Sequence, residues 1–113
     1  MAVITQKAWG MERLIYNGEY CMKLLVYTRE CASSLHYHEK KHETFYVAHG
    51  QFELETQSED AQVKTYRTLS TGDSVVLPPR TIHRLRCLAL GTIVEASSHD
   101  DPNDCIRLEK SEA

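Results

Sequence analysis

The sequence of 113 residues predicts a single all-β domain, a sandwich or closed barrel. Two observations carry this. Runs rich in β-branched and aromatic residues recur at a spacing of roughly 8–12 residues with turn signals between them. Helical periodicity is scarce throughout, and a chain of this length supports one modest core.

Taken in order, "AVITQ" near the start reads as a strand free to add to a neighbour. It lies in a short N-terminal arm, about residues 1–18. Tyr20–Glu30 ("YCMKLLVYTRE") is dense in β-formers, and Thr44–Gln57 holds two apolar runs separated by Gly50. Thr56–Gln62 reads as a polar hairpin loop, and Val63–Leu69 alternates. "STGD" at Ser70–Asp73 is a turn. Ser74–Pro79 is a short buried strand that must end at Pro78-Pro79, because proline cannot donate to a ladder. Ile82–Leu90 alternates, Gly91 breaks it, and Thr92–Ser97 follows. The tail, about residues 98–113, is polar with one apolar patch at Cys105–Leu108.

The net charge of -3 and the lack of any long block of like charge argue against nucleic acid and anionic membrane as partners. The N-terminus lacks the apolar core of a signal peptide and no stretch reaches transmembrane length, so a cytoplasmic location is expected. The four cysteines, Cys21, Cys31, Cys87 and Cys105, form no CxxC pair and are expected to be reduced. Exposed sheet edges on so small a barrel predict a homodimer.

The chemistry concentrates in "LHYHEKKHETF", Leu35–Phe45. Residues two apart on a strand share a face, so His36 and His38 point the same way. Glu43 opens the next strand and a tight connection can return it beside them. His83 follows the Pro-Pro turn at the start of another strand. Three imidazoles and a carboxylate suit a divalent transition metal (Mn, Fe, Ni, Co or Zn) and leave positions open for substrate or water. Cys87, four residues after His83, has the parity to lie behind that site.

These residues resemble a known pattern. His36-x-His38-x4-Glu43-x6-Gly50 resembles the first cupin motif, and Gly72-x5-Pro78-x-Arg80-x2-His83 the second. Arg80 stands where the family usually has glycine, Glu30 replaces the leading glycine, and Cys87 replaces the closing asparagine. The resemblance implies a small double-stranded β-helix, a jelly-roll barrel, with the metal inside its open end. "KAWGMER", "VVLPPRTIHRL", "IVEASS" and "DCIRLE" are further similar to the cupin domain of type II mannose-6-phosphate isomerases.

Other residues are placed around this centre. Lys23 and Tyr27, if their face turns inward, line the pocket, and burial would lower the Lys23 pKa enough for proton transfer. Glu95 interrupts an apolar strand and needs a partner or a role as base. Arg80 near the mouth, Arg107 in the tail and Phe45, which shares parity with Glu43, are candidate substrate contacts. Arg84 and Arg86 should point away from the metal; His42 sits at the rim, His49 and His99 at the surface, and Trp9 packs the N-terminal segment. The expected activity is metal-dependent isomerisation or epimerisation of a small sugar or sugar phosphate through an enediolate. An Fe(II) dioxygenase and a non-catalytic metal-bound sugar sensor are the alternatives.

Overall fold

The computed structural model describes residues 3–58, 60 and 63–112. Among them there is no helix, and nine strands form one curled antiparallel sheet: β1 (Val3–Lys7), β2 (Gly10–Asn17), β3 (Cys21–Tyr27), β4 (Leu35–Tyr37), β5 (Glu43–Gln57), β6 (Lys64–Ser70), β7 (Ser74–Leu77), β8 (Ile82–Ser97) and β9 (Ile106–Glu109). The order along one path is β1-β2-β3-β8-β4-β9, and β5 joins β8 to β6 and β7. The predicted N-terminal arm is built as β1 and β2, which continue the sheet from β3. The predicted loop at Thr56–Gln62 includes residues 59, 61 and 62, outside the described residues; its first two residues, Thr56 and Gln57, instead extend β5 and pair with Thr65 and Lys64.

Gly50 and Gly91 do not end strands, as the sequence suggested. β5 and β8 run through them and bend where they cross. A Cβ on Gly91 would meet the His49 carbonyl oxygen at 1.9 Å, and Gly50 has φ +101°. The glycines therefore permit close backbone approach, which bends a strand without stopping it. Each long strand thus serves two parts of the wall. The first half of β8 pairs with the second half of β5, and His83 stands opposite His36 of β4. The second half lies between β3 and the start of β5, with Glu95 opposite both Lys23 and Phe45.

Alternation then decides what faces inward. Cys21, Lys23, Leu25 and Tyr27 of β3 are buried, as are Glu43, Phe45 and Val47 of β5. Leu25, Tyr27, Phe52, Leu54, Leu69, Leu85, Cys87 and Ile93 belong to the apolar core. Trp9 stacks on Tyr27 with centroids 4.2 Å apart, and Tyr27 meets Phe52 edge-on. Burying a side chain of this size is worth about 1.5–3 kcal/mol. The core fills one end of the barrel, and the inward polar residues are left at the other.

Arg84 is buried on the outer face. Its guanidinium donates to the carbonyls of Ser33 and Lys110 and to the carboxylates of Glu109 and Glu112, which clamps the C-terminal segment over β8. All four cysteines are free thiols. Cys87 packs in the core, where its amide donates to the Cys31 carbonyl, and Leu85 lies between it and His83 along the inner face. It does not line the cavity described next.

Candidate metal centre and the cavity around it

A cavity of about 480 Å³ opens at the polar end of the barrel, a volume suited to a small molecule. Its apolar side is Trp9, Leu25, Tyr27, Phe45 and Leu85; its polar side carries the histidines and two buried lysines.

His36 comes from β4, His38 from the residue just past it and His83 from β8. One ring nitrogen of each lies within 4.8 Å of the others. The Nδ1 of His36 lies 2.9 Å from the Ser34 carbonyl, that of His38 at 2.5 Å from the Asp104 carbonyl, and that of His83 at 2.8 Å from the Thr81 carbonyl. A carbonyl can only accept, so each Nδ1 carries the donated hydrogen. The three Nε2 lone pairs are left to face one another, and His83 Nε2 is buried without a hydrogen-bond partner among the described residues. Such an arrangement suits a shared cation, with the backbone carbonyls holding the ring tautomers. The donor set therefore fits the divalent metal that the sequence implied.

Glu43, the predicted fourth ligand, stands at the edge of this trio. Its Oε2 is 3.3 Å from His38 Nε2 and is otherwise an orphan in the interior. Electrostatics differ around the ring. Burial, then the neighbouring His83, lowers the His36 pKa to about 3. Burial also lowers His83. Burial acts the same way on His38, but the Glu43 carboxylate outweighs it and the net shift is upward. Burial would raise Glu43, yet His38, His83 and Lys41 together hold it down to about 2.

Beyond Glu43 lies a chain of charges. Lys41 Nζ is 2.8 Å from Glu95 Oε2 and 3.0 Å from Asp100 Oδ1. Lys23 Nζ is 3.0 Å from Asp100 Oδ2 and 3.4 Å from Glu12 Oε1. Burial, then the Glu43 charge, raises the Glu95 pKa. The sequence led us to expect a lowered Lys23 pKa. Burial does push that way, but Glu95, Glu12 and Asp100 reverse it, and the net shift is upward. Tyr27 lines the cavity floor, and burial raises its phenol so far that it stays protonated.

The remaining predicted contacts separate. Phe45 and Arg107 line the cavity, with Arg107 opposite His36 on β9. Arg80 does not. It pairs with Glu39 at 3.0 Å beside a separate shallow groove, and its φ of 67° explains why glycine is the usual residue there. His42, His49 and His99 are exposed.

Three site residues escaped the sequence reading. Lys41 drew no reading of its own, since nothing local in Glu39–His42 marks one lysine as buried. Asp100 lies in a stretch with no periodicity. Asp104 entered only as the first residue of "DCIRLE". In the structure its carboxylate accepts from the backbone N–H groups of Glu39, Lys40 and Lys41, while its carbonyl fixes His38.

Fold and site together define a β-barrel whose open end carries a histidine trio that could hold a metal ion, and comparison names the family. The cupin-domain family model matches residues 24–92, and the chain belongs to the cupin family. No curated protein matches it significantly in sequence. Among solved structures it is similar to the capsular polysaccharide assembling protein CapF of Staphylococcus aureus, with TM-score 0.80, 17% identity, and coverage of 96% of this chain and 33% of that one. It is similar to oxalate decarboxylase of Bacillus subtilis, with TM-score 0.80, 16% identity, and coverage of 95% and 30%. KdgF from a Halomonas species gives TM-score 0.75, 20% identity and coverage of 89% of both chains. The chain thus spans about a third of CapF and nearly all of KdgF.

Proposed function

We propose that this cupin is a metal-dependent enzyme that moves a proton between adjacent carbons of a small sugar, an aldose–ketose isomerisation or an epimerisation. The observation that carries the reading is Glu95, a buried carboxylate with a raised pKa, held 2.8 Å from Lys41 in the cavity that also holds the three imidazoles. His36, His38 and His83 would hold the metal, with Glu43 as the fourth ligand. A divalent ion there supplies Lewis acidity toward a carbonyl and its neighbouring hydroxyl. Glu95 acts as the base, because a raised carboxylate pKa brings it closer to the range useful for proton transfer at neutral pH. Lys41 orients it. Lys23 and Tyr27 keep their protons and serve as donors to substrate hydroxyls. Trp9 and Phe45 give the sugar an apolar wall and exclude water. The assembly of capsular polysaccharide by CapF supports a carbohydrate class.

The test is an anaerobic panel of neutral sugars, sugar phosphates and uronates in D2O with the metal-loaded chain. Deuterium should enter at the carbon beside the carbonyl, and Glu95→Gln should abolish entry while leaving metal bound. Binding without exchange would make the protein a sensor. Oxygen uptake with iron would make it an oxygenase. We further propose a homodimer through β1, an edge strand whose Val3 and Ile4 are exposed; sedimentation of a monomer at micromolar concentration would refute this.

A further inference from the structure

The cations around the cavity fall into two groups. Lys23 and Lys41, deep in the wall, are neutralised by Glu12, Glu95 and Asp100. Lys7, Arg107 and Lys110 also line the cavity, from the end of β1, from β9 and from the segment after it. Among the described residues no hydrogen bond or ion pair engages the side chain of any of the three. This contrasts with Arg84 and Arg86, which are spent on Glu109 and Glu112.

Placement is consistent with one shared locus. Arg107 stands opposite His36 across the β4–β9 ladder, and directly opposed residues project from the same face of a sheet, so its side chain lies on the imidazole side. Cys105, which also lines the cavity, feels both Arg107 and Lys7; each lowers its thiol pKa, although burial dominates and the net shift is upward. Asp101, a carboxylate in the same lining, accepts from the Asn103 amide. The Ser34 and Ser111 side chains line the same cavity and add hydroxyl donors. Free ammonium and guanidinium groups beside hydroxyls at a concave mouth form a setting for an oxyanion, and the planar fork of arginine suits phosphate or carboxylate.

We propose that Lys7, Arg107 and Lys110 form an anion subsite at the cavity mouth, which takes a phosphate monoester or carboxylate at the far end of the substrate while the rest of the molecule reaches toward the imidazoles. This deepens the sugar reading above, on which it rests for the identity of the rest of the molecule. It assigns the substrate class as an anionic sugar. The inner lysines do not serve this purpose, because their carboxylate partners already balance them.

The experiment is an NMR titration of the full chain with inorganic phosphate, glucose 6-phosphate, glucuronate and glucose, following backbone amides and the Arg107 Nε–H signal. Both phosphates should shift Lys7, Arg107 and Lys110 saturably. Arg107→Gln and Lys7→Gln should each weaken glucose 6-phosphate about tenfold, the scale of one charged hydrogen bond. Arg67→Gln, on β6, should leave it unchanged. Tighter binding of glucose 6-phosphate than of glucuronate identifies a phosphate as the group held, and the reverse order a carboxylate. Equal affinity for glucose and glucose 6-phosphate overturns the subsite, as do phosphate shifts that survive both glutamine variants. The deuterium test above reads exchange at carbon, whereas the titration reads binding at Lys7, Arg107 and Lys110, so either idea can fail without the other.

Discussion

Each imidazole of the trio gives its Nδ1 hydrogen to a backbone carbonyl, so loss of one ring removes a pre-aimed lone pair. His38→Ala or His83→Ala should strip most bound metal, measured by elemental analysis, while His42→Ala and His49→Ala leave it in place. Protons compete unequally. His36 stays neutral down to about pH 3, burial lowers His83 as well, and Glu43 is already ionised, whereas His38 has its pKa raised by Glu43. Calorimetry of metal uptake in buffers of different ionisation enthalpy at pH 6 should therefore find about one proton released. Arg80 offers a second test. A non-glycine residue at φ 67° is strained, and its ion pair with Glu39 is exposed. Arg80→Gly should be about 1 kcal/mol more stable than Arg80→Ala in urea melts. At this scale the histidines were legible because strand parity is local. Lys41 was not, because its burial depends on Asp100, 59 residues away.

Among the elements, β5 and β8 dominate, and their crossing depends on two glycines. A Cβ at Gly91 would have to move the backbone of His49, so Gly91→Ala should cost about 3 kcal/mol or prevent folding, read by thermal melting. A glycine that bends a strand and one that ends it look alike in sequence. Only the partner strand tells them apart, and so both long strands were read as pairs of short ones. The turn after β4 behaves differently. Asp104 accepts from three successive amides, 39–41, and its own carbonyl sets the His38 ring. Asp104→Ala should cost about 2 kcal/mol, and it should also weaken metal binding, although Asp104 is not a ligand.

For the molecule as a whole, buried charge governs acid stability. His36 has a pKa of about 3 in the folded chain against an ordinary 6.5, so between those values the unfolded chain binds a proton that the folded one refuses, and stability falls with pH. Glu43 and Asp100, each at about 2, act in the same sense below their ordinary 4.5 and 3.8. Burial alone would raise Asp100; Lys41 and Lys23 outweigh it. His38 and Glu95, both raised, protonate first in the folded state and offset part of the loss, but only down to their ordinary 6.5 and 4.5. The melting temperature of the metal-free chain should thus fall most steeply between pH 4.5 and about pH 2, followed by circular dichroism. The barrel itself was legible from turn spacing; the balance of its interior charges was not, since it joins residues from β2, β3, β5, β8 and two loops. One feature of the architecture reaches into time. β4 is three residues long and touches β8 through a single residue pair, yet His36 and His38 ride on it or just beyond it. An ion gripped by the trio would tie the shortest strand but for none to the longest, and so act as a latch on local opening. Amide hydrogen exchange at Leu35–Tyr37 should slow as metal occupancy rises, while exchange in the distant surface turn at Ser70–Asp73, which opens locally, stays as it was.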